Sequence, residues 1–261
     1  MQDKATSFDI AQLAGVSQPT VSRALRGSTS VSESTRKRIE AIAQQLNYKV
    51  DKNATNLRSG HSNTLALLLF EDPTPDDSLI NPFFLSMLGS ITRTCALRGY
   101  DLLISFQQLS GDWHVDYEDS RKADGLILLG YGDYHDYEKR LSQLVEQGTH
   151  FVRWGSVKPE AREVVVGCDN VQGGLDVTAH LIAGGRKQIA FIGTATSACP
   201  EFLDRHNGYA AALSAAKLPR SLTLHVDALS SEEDGHDAAG RLIARGKPFD
   251  AIVCTSDLIG L

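Results

Sequence analysis

The chain has little with which to clasp a metal, close a disulfide or enter a membrane. Its four cysteines, Cys95, Cys168, Cys199 and Cys254, are widely spaced and form no Cys-x-x-Cys pair. They read as reduced, mostly buried thiols. The longest apolar run, Leu65–Phe70, falls far short of the roughly 20 residues a membrane helix needs, and the N-terminus lacks a signal-peptide pattern. A cytoplasmic protein follows. Missing too are Gly-x-Gly-x-x-Gly, a Gly-Lys-Ser/Thr phosphate loop and Gly-x-Ser-x-Gly, and no two of the eight histidines stand four residues apart. These gaps argue against a nucleotide-dependent enzyme, a serine hydrolase and a paired-histidine metal site, so neither cofactor nor turnover is expected. The acidic cluster Asp116, Glu118 and Asp119 reads most simply as a solvated face.

Overall charge is −6, which argues against unspecific attraction to nucleic acid. The balance is uneven, however. Residues 1–60 carry nine Lys or Arg against five acids, so +4, and the rest of the chain carries −10. A basic head on an acidic body fits a DNA-binding module joined to a domain that does not touch DNA.

Within the head, Thr6 and Asp9 have the spacing of a capping box. The first helix should bury Ile10, Leu13 and Ala14 and stop at Gly15. Ser17 is placed to cap a second helix with Pro19 in its first turn, where a missing N–H does no harm. Val21, Ala24 and Leu25 form its inner seam, which leaves Gln18, Pro19, Ser22, Arg23 and Arg26 facing outward. That stripe suits a major groove: Arg grips the guanine edge, Gln the adenine edge, and hydroxyls reach phosphates. With the flanking hydroxyls, the candidate DNA contacts are Thr6, Ser7, Ser17, Gln18, Pro19, Thr20, Ser22, Arg23, Arg26 and Ser30. A third helix follows, capped by Ser32, with Ile39, Ile42, Ala43 and Leu46 inward. Arg36, Lys37 and Arg38 in its first turns serve either solvation or phosphate contact.

From Thr64 onward short apolar runs alternate with helical patterns. Strands are expected at 65–70, 101–106, 125–129, 151–154, 163–166, 189–193, 222–226 and 251–254. The intervening helices include 83–98, 136–147, 171–183, 204–216 and 232–245. Continuous apolar strands separated by helices mean a parallel sheet covered on both faces, with ligands at the carboxyl ends of the strands. The loops after Phe70, Phe106, Leu129, Gly193, Val226 and Cys254 should therefore face a cleft.

The quoted residues resemble the LacI/GalR family of bacterial transcriptional regulators. The markers run along essentially the whole chain: Asp-Ile-Ala-Gln-Leu-Ala-Gly-Val-Ser-x-x-Thr-Val-Ser-Arg (9–23), Val-Ser-Glu-Ser-Thr-Arg (31–36) and Leu-Asn-Tyr (46–48) in the head. Asn-Pro-Phe-Phe (81–84), Ala-Asp-Gly-Leu-Ile-Leu (123–128), Asp-Asn (169–170), the stretch 180–193, Arg-x-x-Gly-Tyr (205–209) and Ser-Asp-Leu (256–258) follow in the body. The resemblance implies a small all-α helix-turn-helix head (1–49), a hinge (50–62) and an α/β body (63–261). That body would be a parallel-sheet, two-lobed, periplasmic-binding-protein-like fold. It further implies a homodimer on a pseudo-palindromic double-stranded operator, controlled by a small effector, most simply a sugar or glycoside, and no membrane partner.

Carried over residue by residue, Leu57 in the hinge matches the family's minor-groove wedge. Val50, Asp51 and Thr55 depart from the family's hinge pattern, and Asp51 brings a negative charge toward phosphate. Phe83 and Phe84 correspond to the first-lobe wall of the effector site, Arg205 to its gripping arginine and Asp257 to its carboxylate. Simple core remains the alternative for both phenylalanines, a surface charge for Arg205 and a helix cap for Asp257. Trp154 either adds a stacking surface or sits in the core, and Leu229 and Ser230 stand where many members place an aromatic. The segment 71–78 makes the first cleft loop long and acidic. The letters stop at Leu261 where the family continues, so the resemblance implies a C-terminally truncated chain with an incomplete second lobe and an unpaired sheet edge. A solute-binding protein, or a fragment that regulates nothing or interferes with a full-length partner, are the competing readings.

Overall fold

A computed structural model describes residues 5–48, 61–71, 80–107, 111–130, 134–158 and 161–261. The chain divides into two compact units, residues 1–62 and 63–261. Leu57, the hinge positions 50, 51 and 55, and residues 72–78 of the acidic loop lie outside the described residues.

Among the described residues, the first unit holds three helices: α1 (Ser7–Ala14), α2 (Gln18–Leu25) and α3 (Glu33–Gln45). Thr6 closes the capping box, its N–H donating to Asp9 Oδ2 at 2.7 Å and its hydroxyl accepting from the Asp9 N–H at 3.4 Å. Gly15 ends α1 with φ +62°, a backbone angle that glycine reaches without steric cost. Ser32 caps α3 by accepting from the Thr35 N–H at 3.3 Å. Ser17 stands at the N-cap position of α2 but makes no cap bond. Its hydroxyl instead meets that of Thr20 at 2.9 Å.

Ile10, Ala11, Ala14, Val21, Ala24, Val31, Ile39 and Ala43 make the core of the head. Leu13, expected inside, is 63% exposed, and Ala11 takes its place. The inward stripe of α1 thus runs i, i+1, i+4, and its small residues let the helices approach closely.

The second unit divides its strands between two parallel sheets where their apolar runs alone suggest one. The first sheet has the order β2-β1-β3-β4-β5, built from β1 (Thr64–Leu69), β2 (Asp101–Phe106), β3 (Leu126–Leu129), β4 (Phe151–Trp154) and β5 (Val164–Val166). Helices α4 (Pro82–Leu97) and α5 (Tyr134–Gln147) and a short π-helix (His114–Asp119) belong to this lobe. The second sheet has the order β7-β6-β8, from β6 (Ile189–Ile192), β7 (His225–Val226) and β8 (Ala251–Cys254). Helices α6 (Asn170–Ala183), α7 (Pro200–Ala215), α8 (Glu232–Ala244) and α9 (Asp257–Gly260) accompany it. Strand β6 is apolar and buried throughout, and β1 is apolar from Leu65 and buried from Ala66 onward, as a sheet covered on both faces requires.

Several local expectations are corrected. The strand expected at 222–226 is mostly a 3-10 turn, Leu222–Leu224, started by the Ser221 hydroxyl accepting from the Thr223 N–H at 3.3 Å. Helix α7 begins at Pro200 rather than Asp204, and Pro200, Glu201 and Phe202 of its added first turn are buried. Cys95 is buried and Cys199 and Cys254 half-buried, but Cys168 is exposed; all four are free thiols. Glu118 is no solvated charge: it accepts from the His150 N–H at 2.6 Å and approaches the His114 ring. Among the described residues no helix is long and apolar enough to cross a membrane.

Candidate functional site

In the head, α2 exposes Pro19 and Arg23, and Arg26 is exposed at the helix end. Gln18, Thr20 and Ser22 are half-buried at the margin of this face, and Ser17 and Ser30 are exposed. Gln18 Nε2 donates to Ser7 Oγ at 3.1 Å, which ties the start of α2 to the start of α1. Thr6, by contrast, already spends its hydroxyl and N–H on the capping box. The Gln18 amide has a carbonyl and a second N–H besides the donor used on Ser7, and Arg23 and Arg26 carry two guanidinium forks, groups chemically able to bond base edges or phosphate.

Arg36 takes a role that sequence reasoning did not find. Its Nη2 donates to the Ser28 carbonyl at 2.7 Å and so braces the turn between α2 and α3, where the Ser28 and Ser30 hydroxyls meet at 2.9 Å. Lys37 pairs with Glu33 at 2.9 Å on the exposed face.

In the body, a cavity of about 530 Å³ opens among residues of both lobes. Asn81, Phe83 and Trp154 line it from the first lobe. Asn81 caps α4 by accepting from the Phe83 N–H at 3.0 Å, which fixes where the Phe83 ring starts. The Phe83 and Trp154 rings lie 5.8 Å apart and form one aromatic wall. Phe84, expected beside Phe83, is instead buried in the core and packs edge-on behind it at 5.3 Å. Adjacent residues on a helix point about 100° apart, so only one of the pair reaches the cavity.

The second lobe supplies Asn170, Arg205, Ser230 and Asp257. Arg205 Nε donates to Asn170 Oδ1 at 2.9 Å, and another of its nitrogens donates to the Thr255 carbonyl. The Ser230 hydroxyl meets that of Ser256 at 2.9 Å, while Leu229 points to solvent. Of the loops expected at the cleft, those after Val226 and Cys254 reach the cavity; those after Phe106, Leu129 and Gly193 are not on its wall among the described residues. Asp169 and Cys168 also line it, and Cys254 has its thiol pushed up by burial and so stays protonated. Asn170 and Ser230 were legible in the sequence only as family markers or gaps, because their pairing depends on residues distant in the chain.

One guanidinium, two carboxylates, hydroxyls, amides and an aromatic wall form a site for a polar molecule with an apolar face. The class of protein follows: a helix-turn-helix reader joined to a two-lobed ligand-binding body. Residues 8–51 match the family model described as bacterial regulatory proteins, lacI family, and residues 74–261 match periplasmic binding proteins and sugar binding domain of LacI family. Over 97% of its length the chain is 32% identical to the HTH-type transcriptional regulator MalR of Streptococcus pneumoniae, covering 76% of that protein. It is 31% identical to the regulator RafR of Escherichia coli over 96% of its length, covering 73% of it. Among solved structures, a transcriptional regulator CelR–cellobiose complex shares 27% identity at a TM-score of 0.64, over 98% of this chain and 75% of that one. The lac repressor dimer bound to operator and the anti-inducer ONPF matches in fold at a TM-score of 0.80 and 20% identity, over 98% and 75%. The chain belongs to the LacI family and is a helix-turn-helix transcriptional regulator with a sugar-binding-type domain.

Proposed function

We propose that the protein is a transcriptional repressor that binds a pseudo-palindromic operator as a homodimer and releases or tightens on it when a small sugar or glycoside fills the body cavity. The observation that carries this reading is the cavity itself, with Arg205 held by Asn170 at 2.9 Å opposite the Phe83–Trp154 wall. Sugar rings have an apolar face that stacks on aromatics and a rim of hydroxyls that carboxylates and guanidinium bind. The complex of the related CelR with cellobiose supports the ligand class. Thr6, Ser7, Ser17, Gln18, Pro19, Thr20, Ser22, Arg23, Arg26 and Ser30 form the proposed DNA face, with Leu57 as the proposed minor-groove wedge. Phe83, Trp154, Arg205 and Asp257 form the proposed effector site.

The protein acts by linkage rather than turnover: an effector with different affinity for two lobe arrangements shifts their populations and, through them, grip on DNA. It works in the cytoplasm, where its operator is. The test is selection of inverted-repeat duplexes by the purified chain, followed by gel shifts with and without cellobiose, maltose and raffinose. Binding no tighter to the selected repeat than to random DNA at moderate salt would remove the repressor reading. Operator binding indifferent to every sugar would remove the effector class.

A further inference from the structure

Helix α7 carries Arg205 into the cavity, and two residues just before it, Glu201 and Asp204, grip the first lobe. Ser156, in the turn after β4, donates its buried N–H to Glu201 Oε1 at 2.8 Å and its hydroxyl to Asp204 Oδ2 at 2.5 Å. Just ahead of α7, the Ala198 carbonyl accepts from the Tyr134 N–H at 2.9 Å and the Ser197 hydroxyl meets the His135 ring at 3.0 Å. The N-terminal part of α7 and the segment before it are therefore fastened to two separate first-lobe elements.

Glu201 is only 7% exposed, an expensive place for a carboxylate unless its position matters. The Arg153–Glu163 ion pair at 2.9 Å lies close by, and its guanidinium approaches Gly155 as the Glu201 carboxylate does. A Cβ at Gly155 would collide with both the Arg153 guanidinium and the Glu201 carboxylate. Beside it the chain crosses to the second lobe through Gly167, where a Cβ would strike the Gly155 carbonyl. The crossing is thus packed backbone against backbone.

We propose that Ser156, Glu201 and Asp204 form an interlobe clasp that sets the position of Arg205 opposite the aromatic wall of the cavity. Glu201 and Asp204 are positioning residues in this scheme: they touch Ser156 and act through the helix they share with Arg205. The clasp gives the effector a preset opening, so that ligand energy is not spent on ordering the lobes. Its importance for regulation rests on the effector reading above, but its existence does not.

The experiment accordingly uses neither DNA nor sugar. The chain has two tryptophans: Trp154 on the cavity wall, and Trp113, which is 2% exposed in the first-lobe core. Acrylamide quenching reads Trp154 directly, and the same measurement on a Trp154→Phe background reads Trp113 alone. A Glu201→Ala/Asp204→Ala double variant should raise the Trp154 quenching constant as the lobes part, with Trp113 still protected. Glu201→Gln, which keeps an acceptor for the Ser156 N–H, should remain like the wild type. Unchanged Trp154 quenching in the double variant overturns the clasp, and so does a rise shared by Trp113, which signals general loosening instead. Should the double variant fail to fold, Ser156→Ala removes the Asp204 bond alone, and Trp154 quenching unchanged from wild type in that protein is equally adverse.

Discussion

Arg205 and Asn170 meet across the α6–α7 interface, with the guanidinium Nε donating to the side-chain carbonyl at 2.9 Å. Asn170 in turn donates its amide Nδ2 to the Cys168 carbonyl at 3.2 Å, so its orientation is fixed from both ends. The arginine is therefore aimed before any ligand arrives. Arg205→Ala leaves the buried Asn170 carbonyl and the Thr255 carbonyl without that donor, at a cost of about 1–3 kcal/mol in urea unfolding. It should also abolish any sugar-dependent change in thermal stability or operator affinity. Arg205→Lys keeps the charge but not the two-nitrogen fork, and should recover stability better than sugar response.

The same pair of helices is held at its distance by glycines. A Cβ at Gly174 would enter the backbone of Arg205, and one at Gly208 would enter the carbonyl of Val171. Gly208→Ala should therefore destabilise the body by about 1–3 kcal/mol despite the better helix propensity of alanine. Chemical denaturation followed by circular dichroism reads this directly. A variant as stable as the wild type would mean that the helices separate at no cost, contrary to their packing.

What the sequence made legible was local. The Thr6–Asp9 box, the Gly15 stop and the Ser32 cap depend on residues within a turn of one another, and all three are in place. The proposed DNA-facing stripe of α2 was read from one helix's periodicity in the same way, and of it Pro19, Arg23 and Arg26 are exposed. Leu13 was misplaced because positions 10, 13, 14 and positions 10, 11, 14 are equally good helical stripes, and only the neighbouring helices choose between them. Phe83 and Phe84 posed the same problem: two adjacent aromatics, one facing the sheet and one the cavity. The Asn170–Arg205 bond and the division of strands into two sheets join residues tens of positions apart, where composition and spacing are silent. The family resemblance, rather than periodicity, implied the two lobes, and the Asn170–Arg205 bond was not foreseen from the sequence at all.

Acid should weaken the head through Asp9. The Thr6 N–H, and then the Thr6 hydroxyl, hold its carboxyl below the ordinary carboxylate range. A depressed folded pKa contributes stability that is present above the unfolded value of about 3.9 and is lost as pH falls through the lower folded value. Helix content of residues 1–62 should therefore drop below about pH 4 in the wild type. Asp9→Asn should start lower at neutral pH and lack that component. An identical acid transition in the two proteins would remove the capping carboxylate from the account.

Arg23 and Arg36 are both guanidinium groups in the head, but their surroundings assign them opposite consequences. Arg23 is exposed on the outer face of α2, so Arg23→Ala should leave unfolding unchanged while costing about 1–3 kcal/mol of specific operator binding. Arg36 is tied to the Ser28 carbonyl at 2.7 Å, so Arg36→Ala should loosen the turn between α2 and α3 and cost about 1–3 kcal/mol of folding stability. Its effect on DNA should follow from that loss and be similar for every duplex. Gel shifts on the selected operator and on a scrambled duplex, beside urea titrations of both variants, separate the two. If Arg23→Ala weakened both duplexes equally, Arg23 would be a phosphate contact and base reading would fall to Gln18 and Arg26. If Arg36→Ala unfolded like the wild type yet lost operator binding alone, Arg36 would join the reading face and the brace would have no energetic weight.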